Sequence, residues 1–142
     1  MKTSKLIVEH DYDFELYAII SSIKAYKLAW VLNQSLNIDL AKEDDALFEF
    51  LKEKSKLYFI NYKFETEYSY FRFIKNKSCE YYNTSKPYLI PELKEYDYLL
   101  LFSLNSELDK TTLIDKLKNL PNIEYLNLIE INTLKSKENL IF

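Results

Sequence analysis

Residues 96–104 read YDYLLLFSL, a nearly continuous apolar run that carries one charged residue, Asp97. A strand with one wet face alternates apolar and polar residues, whereas a strand covered on both faces is apolar almost throughout. This run therefore predicts a strand at the centre of a sheet, buried on both sides.

Three shorter stretches upstream show period-two patterning and are rich in aromatic residues. Such alternation favours strands with one buried face, and their close succession favours an antiparallel meander. In the second stretch, one face is expected to hold Tyr58, Ile60, Tyr62 and Phe64. The meander covers residues 47–51, 57–64 and 68–74, and further strands are predicted at residues 5–9 and 123–131.

Two segments instead show helical periodicity. In the first, apolar residues recur every three or four positions, which predicts a long helix buried over a wide arc; they are Leu16, Ile19, Ile23, Tyr26 and Trp30. Asp11 or Asp13 would cap its start. Asn33 or Asn37 would take the left-handed conformation at its end, because the chain contains no glycine. A shorter amphipathic helix is predicted at residues 109–120, before Pro121.

The order of these elements is β-α-βββ-β-α-β, which predicts an α+β fold. It consists of a mostly antiparallel sheet with one long N-terminal helix and a second, shorter C-terminal helix. The chain has 142 residues, and domains typically have roughly 100–200. We therefore expect residues 1–142 to form a single domain.

The composition excludes several kinds of site. With no glycine, the chain lacks the phosphate-binding loops and the nucleophile elbow that depend on that residue. One His and one Cys, His10 and Cys79, are too few for a Cys/His zinc cage or a CxxC pair. The acidic residues around His10 are explained more simply as helix caps than as cation ligands. We therefore expect no metal and no cofactor.

Charge and hydropathy restrict the kinds of partner that the protein is expected to bind and the cellular compartment in which it is expected to lie. The net charge is −3, which argues against nucleic-acid binding, and the chain has no run of about 20 apolar residues that could span a membrane. A lone cysteine forms no intrachain disulfide, and the N-terminus does not resemble a signal peptide. These features predict a cytoplasmic protein without membrane association.

Three functions remain open for the chain. The leading hypothesis is a non-enzymatic module that binds a protein partner or a second copy of itself, through an exposed part of the tyrosine-rich sheet or through the corner at residues 90–98. Single-stranded RNA binding would use Tyr68, Tyr70 and Arg72, because aromatic and cationic side chains on one strand stack bases and hold phosphates. An enzyme would use Glu92 and Asp97, held by the rigid turn that Pro91 opens.

Two parts of the sequence resemble a known family. They are YKLAWVLN at residues 26–33 with LNIDL at residues 36–40, and LIPE at residues 89–92 with DYLL at residues 97–100. Together they resemble the IPExxDY family of small proteins from Bacteroidetes, although four residues separate the two halves of the motif where the family name suggests two. The resemblance implies a cytoplasmic bacterial protein, and it implies no activity and no catalytic residue.

Overall fold

The computed structural model of the protein describes residues 14–44, 46–50, 55–79, 88–104 and 106–140. The fold is α+β, as predicted, with a six-stranded antiparallel sheet and two helices. The strands are β1 (Glu15–Ile20), β2 (Ala41–Lys42), β3 (Ala46–Phe50), β4 (Ser55–Phe59), β5 (Asn61–Glu65), β6 (Ser69–Lys75), β7 (Tyr98–Leu104) and β8 (Tyr125–Ile129), and the helices are α1 (Ala25–Leu36) and α2 (Glu107–Lys118).

The order of strands in the sheet is β2-β5-β6-β7-β1-β8, and β3 pairs with β4 in a separate hairpin. Strand β7 lies near the centre, with Leu100 opposite Phe73 of β6 on one side and Tyr17 of β1 on the other. Residues Leu99 and Leu100 are fully buried although their side chains point to opposite faces. The prediction of a central strand in this stretch is confirmed.

Each face of the sheet packs against its own layer. The two helices cover one face through Leu28, Leu32, Leu113 and Leu117. The aromatic side chains buried beneath them are Tyr17, Tyr62, Phe71, Phe73, Tyr98 and Phe102. The second face packs against two segments with short 3₁₀ turns, around residues 89–93 and 131–140. Most of the aromatic side of the sheet is therefore interior.

The prediction of a long first helix is wrong in its N-terminal half. Residues 15–20 form β1, in which four consecutive residues are buried, and β1 pairs with both β7 and β8. A short apolar run fits a buried strand as well as a buried helix, and pairing on both sides decides for the strand. Helix α1 begins at Ala25, and its outer face carries Tyr26 and Trp30, which are 57% and 62% exposed instead of buried.

The end of α1 follows the prediction. Asn37 has φ 57° and ψ 49°, the left-handed conformation that ends many helices. Asn33, one turn earlier, holds the chain that leaves the helix: its Oδ1 accepts from the Leu40 backbone N–H at 2.7 Å, and its Nδ2 donates to the Leu40 carbonyl at 3.2 Å. Asn37 thus takes the left-handed position that glycine occupies at the ends of many other helices. The predicted strand at residues 5–9 and the caps Asp11 and Asp13 lie outside the described residues.

The predicted meander is divided between two sheets, because β3 and β4 pair only with each other and β5 and β6 belong to the six-stranded sheet. The expected strand at residues 57–64 is divided at Ile60 into β4 and β5. Asn61, which is 1% exposed, bridges the bend by donating to the carbonyls of Asp44 at 3.0 Å and Phe59 at 3.3 Å. Three of the four residues that were expected on one face do share it, because Ile60, Tyr62 and Phe64 all pack in the core beneath the helices.

The C-terminal elements lie close to their predicted positions. Helix α2 begins two residues earlier than predicted, since Ser106 is its N-cap and accepts from the Asp109 backbone N–H at 3.3 Å. The predicted last strand is the shorter β8, at an edge of the sheet. Neither helix in the described part of the chain is both long and apolar enough to cross a membrane.

Candidate functional site

A cleft of about 420 Å³ opens at one end of the helical layer. It lies where α1 ends, where β5 turns into β6, and along α2 from Asp109 to Lys116. Its apolar floor is formed by Leu36, Ile38, Phe64, Phe71, Leu104 and Leu113. Its polar wall is formed by Asn37, Thr66, Tyr68, Ser69, Asp109, Thr112 and Lys116. The volume lies within the usual range for a ligand site, but the cleft is more polar than most such sites, because seven of its thirteen lining residues are polar.

Local sequence signals build the three walls of the cleft. The left-handed Asn37 ends α1, so that Ile38 turns toward the floor. The Ser106 cap fixes where α2 starts. Since residues three, four and seven apart lie on one side of a helix, Asp109, Thr112 and Lys116 all reach the cleft.

The turn between β5 and β6 is held by its own hydroxyl groups. The Thr66 Oγ1 accepts from the backbone N–H groups of Tyr68 at 3.2 Å and Ser69 at 3.1 Å, and it lies 2.8 Å from the Ser69 Oγ. The Thr66 backbone N–H also donates to the Ser69 carbonyl at 2.9 Å. This turn carries the Tyr68 side chain, 66% exposed, to the mouth of the cleft.

Two opposite charges stand on the wall that α2 supplies. Asp109 and Lys116 are seven residues apart, about 10 Å along the helix axis at roughly 1.5 Å per residue. Within the described part of the chain, neither side chain takes part in an ion pair. By contrast, their neighbour Lys110 pairs with Glu15 of β1 at 3.4 Å. The cleft thus has a negative end and a positive end.

A second, shallower depression of about 450 Å³ adjoins the cleft. It lies between the helices and is lined by Ser35 of α1 and by Thr112, Asp115, Lys116, Asn119 and Leu120 on and after α2. Because Thr112 and Lys116 line both hollows, the two are neighbours along α2.

The structure separates the three residues of the RNA hypothesis. Tyr68 lies at the cleft, on the helical side. Tyr70 and Arg72 project from the opposite face of β6, where the Arg72 Nη1 donates to Asn61 Oδ1 at 2.6 Å and its Nε donates to the Tyr70 Oη at 3.1 Å. The guanidinium therefore braces the bend at Asn61, and the three side chains do not share a surface.

The two residues of the enzyme hypothesis bind different parts of the backbone. The Glu92 carboxylate accepts from the backbone N–H of Ser136 at 2.8 Å and from its hydroxyl at 2.9 Å. Asp97 instead accepts from the Ser21 backbone N–H at 3.0 Å, at the exit of β1. Each carboxylate ties a loop in place, and among the described residues the two have no hydrogen-bond partner in common.

The pKa shifts have structural causes. Burial by itself would raise the pKa of Glu92, but hydrogen bonds from its own backbone N–H and from Ser136 and Lys135 hold that pKa below its ordinary value. Burial, followed by the nearby Asp97 carboxylate, raises the pKa of Tyr98 to about 12, and the Tyr98 hydroxyl donates to the Ile23 carbonyl at 2.6 Å. Burial also raises the pKa of Tyr17 and Tyr62 in the core.

Among the residues that the structure describes, no group of three or more His, Cys, Asp or Glu residues could hold a metal ion. Cys79 is exposed, and its possible partner His10 lies outside the described residues. The acidic cluster at residues 9–13 lies outside them as well.

Of the polar residues that line the cleft, the sequence singles out only Tyr68 and Asn37. Tyr68 is marked by its aromatic neighbourhood and Asn37 by its likeness to a helix stop. Thr112 and Lys116 carry no local signal, because a threonine and a lysine on the outer side of an amphipathic helix are ordinary solvent-facing residues. Their role in the cleft arises only from the approach of three segments that are distant in sequence.

No protein-family model matches the chain, and no curated protein matches its sequence. The resemblance to the IPExxDY family stays a prediction.

Proposed function

We propose that the protein is a non-enzymatic binding module that receives part of a protein partner in the cleft. The observation that carries the proposal is the cleft itself, a hollow of about 420 Å³ with an apolar floor and a polar wall. Covering one aliphatic side chain there would contribute about 1.5–3 kcal/mol. A few such contacts with polar contacts at the edge support reversible binding.

The position of Tyr68 supports the same proposal. Its ring is largely exposed at the mouth of the cleft, and tyrosine is enriched at the centres of protein interfaces, because it offers a large contact area and a hydroxyl group together. Single exposed aromatic residues are common on protein surfaces. A ring beside an apolar hollow is a stronger indication of binding than either feature alone.

The proposal is tested by filling the cleft without touching the core. Thr112 lines the cleft and is exposed, and its neighbour Thr111 is also exposed but does not line it. Thr112→Trp and Thr111→Trp therefore form a matched pair on the same helix. Immobilised wild type and both variants would be exposed to extract of the native cell, and the retained proteins would be compared quantitatively.

The expected result is a set of proteins retained by the wild type and by Thr111→Trp but lost with Thr112→Trp. If the wild type and both variants retain the same proteins, the cleft is not the binding surface. A mass in sedimentation that rises with concentration for the wild type and for Thr111→Trp, but not for Thr112→Trp, would identify the partner as a second copy of the chain.

A further inference from the structure

We infer that the open edge of β8 binds an extended segment of a partner protein as an added antiparallel strand, with apolar side chains opposite Leu126 and Leu128 and a basic side chain at each end. No residue of β8 lines the cleft, so the inference goes beyond the proposed function and does not depend on it. It is carried by backbone groups that face no other described strand, by two exposed side chains on opposite faces of the sheet, and by carboxylates at both ends of β8.

The backbone of β8 leaves hydrogen-bonding groups at the edge of the sheet. Among the described strands, β8 is the last in the sheet and has β1 as its one neighbour. The Ile20 carbonyl accepts from the Glu124 backbone N–H at 2.8 Å, so Ile20 faces β8, as does every second residue of β1. The β8 residues opposite Ile20, Ala18 and Leu16 are Tyr125, Asn127 and Ile129. The N–H and carbonyl groups of Leu126 and Leu128 therefore point away from β1, and no described residue bonds to them.

The strand also lacks features that usually prevent pairing at a sheet edge. Edge strands of native proteins are commonly very short, or they carry a lysine or a proline. The opposite edge of the same sheet follows this rule, because β2 has two residues and one of them is Lys42. β8 has five residues, YLNLI, with no charge and no proline. It is therefore the edge of this sheet that is open to a further strand.

Two exposed side chains favour a strand over other kinds of partner structure. Tyr125 is 53% exposed and Leu128 is 55% exposed. Leu128 lies on the face that the helices cover, since its partner on β1 is the buried Tyr17. Tyr125 lies on the other face, where its ring stacks on Tyr96 with centroids 6.2 Å apart. A helix docked on one face covers one of them, whereas a strand added in the plane of the sheet has side chains on both faces and covers both.

The two ends of β8 are acidic. Glu124 and Glu130 flank the strand and are exposed, and neither takes part in an ion pair with a described residue. The Glu124 carboxylate accepts from the neutral Ser22 backbone N–H at 3.1 Å. Glu130 lines a hollow of about 210 Å³, in which the other carboxylate, Glu15, is paired with Lys110. The Glu130 side chain makes no capping hydrogen bond. Each end thus carries a negative charge that a basic side chain of the partner would neutralise.

These charges disfavour a second copy of the chain as the partner. If β8 paired with β8 of a second copy so that Leu126 lay opposite Leu128, Glu124 of each copy would lie opposite Glu130 of the other. Like charges directly opposite each other destabilise a strand pair, whereas opposite charges stabilise it. A partner segment with lysine or arginine at these two positions is therefore favoured.

The positions in the partner segment follow from one-to-one pairing of residues across the two strands. Seven residues run from Glu124 to Glu130, and the backbone is still extended at Glu130, with φ −78° and ψ 105°. Seven partner residues therefore span the same length, about 20 Å at roughly 3.3 Å per residue. Positions 1 and 7 lie opposite Glu130 and Glu124, and positions 3 and 5 lie opposite Leu128 and Leu126.

The inference is tested with the capped heptapeptide Lys-Thr-Val-Thr-Val-Thr-Lys and with a comparison peptide that has glutamate at both ends. Binding to the full chain is followed by the NMR shifts of the Leu126 and Leu128 amides. The lysine-ended peptide is expected to bind about ten times more tightly than the glutamate-ended one, because both ends form opposite-charge pairs. Glu130→Lys should weaken the lysine-ended peptide about threefold. The matched control is Glu67→Lys, exposed in the turn between β5 and β6, which should leave its affinity unchanged.

Methylation of the peptide amides tests the strand pairing itself. In the proposed register, the amides at positions 3 and 5 donate to the carbonyls of Leu128 and Leu126, whereas the amides at positions 4 and 6 point away. A peptide N-methylated at positions 3 and 5 should bind about ten times more weakly, since two hydrogen bonds are lost. A peptide N-methylated at positions 4 and 6 carries the same number of methyl groups and should keep most of its affinity.

Each contrary result overturns the inference for a different reason. No shift with any peptide, or an equal loss of affinity for both N-methylated peptides, would show that the edge does not pair with a strand. A glutamate-ended peptide that binds as tightly as the lysine-ended one would refute the basic partner. A sedimentation mass that rises with concentration for the wild type, but not for Leu128→Lys, would assign the edge to a second copy. Slow hydrogen exchange at Leu126 and Leu128 in the free monomer would show that the chain itself covers the edge. The cleft is tested separately by Thr112→Trp.

Discussion

The Asn76 side chain is expected to be the main clamp on the loop that covers the second face of the sheet. It is fully buried. Its Oδ1 accepts from the Ile90 backbone N–H at 2.9 Å, and its Nδ2 donates to the carbonyls of Leu93 at 2.9 Å and Ile90 at 3.4 Å. Asn76→Ala would leave the Ile90 N–H buried without this partner, whereas the Leu93 and Ile90 carbonyls would each keep a bond from a backbone N–H, of Tyr96 and Leu93 respectively.

The cost follows from these three bonds. A buried N–H left without a partner costs about 1–3 kcal/mol and each lost bond to a carbonyl about 0.5–1.5 kcal/mol, so the free energy of unfolding should fall by about 3 kcal/mol. Single domains have about 5–15 kcal/mol in total, so the loss is large. At a urea dependence of about 1–3 kcal/mol per molar, the midpoint should fall by at least about 1 M.

Asn139→Ala provides the matched control for this measurement. The Asn139 Nδ2 donates to the Leu89 carbonyl at 2.8 Å in the same region, but its side chain is only half-buried and makes this one bond to the described residues. A loss of about 1 kcal/mol is expected there. Urea unfolding followed by circular dichroism compares the two variants. If Asn76→Ala costs no more than Asn139→Ala, then Asn76 does not clamp the loop.

Three other predictions concern the surface and the loops. The folded-state pKa of Glu92 lies below its ordinary value of 4.5, so its bonds to Ser136 stabilise the fold above that pH and are lost as the pH falls through the lower folded value. Glu92→Gln should therefore flatten the dependence of the free energy of unfolding on pH in the acid range. An unchanged slope would contradict this. Trp30, the single tryptophan and 62% exposed, should fluoresce like a solvated indole and be quenched readily by acrylamide, whereas blue-shifted, protected emission would mean that another surface covers it. Asn37, with φ 57°, should tolerate Gly but lose about 1 kcal/mol as Ala, and equal melting temperatures for the Gly and Ala variants would refute the strain argument.

Patterns that are read within one element were predicted well. The apolar run of β7, the alternation of the meander and the spacing of α2 each depend on which faces of one element are covered. The Pro91 turn was also predicted, and Pro91 is the first residue of a 3₁₀ turn that ends at Leu93. Proline fixes its own φ, so this turn needs little from the rest of the chain.

Features that depend on which segments of the chain pair or pack together were predicted poorly. Leu16 and Ile19 fit a helical stripe as well as a strand, and only their pairing with β7 and β8 makes them a strand. Tyr26 and Trp30 were then assigned to the buried side of a helix predicted to start near Leu16, whereas α1 starts only at Ala25. Their exposure follows from the true start of α1 and from the neighbours that Leu28 and Leu32 find in the sheet.

The sequence by itself determined the α+β class, the central strand and the asparagine that ends α1, because each follows from local backbone preference or from the periodicity of apolar residues. Only the tertiary structure decided where the cleft lies, which charges stand at its ends, and that Glu92 and Asp97 tie separate loops. The physical reason is that a cleft is made by segments far apart in the chain, and their approach depends on the packing of the whole core.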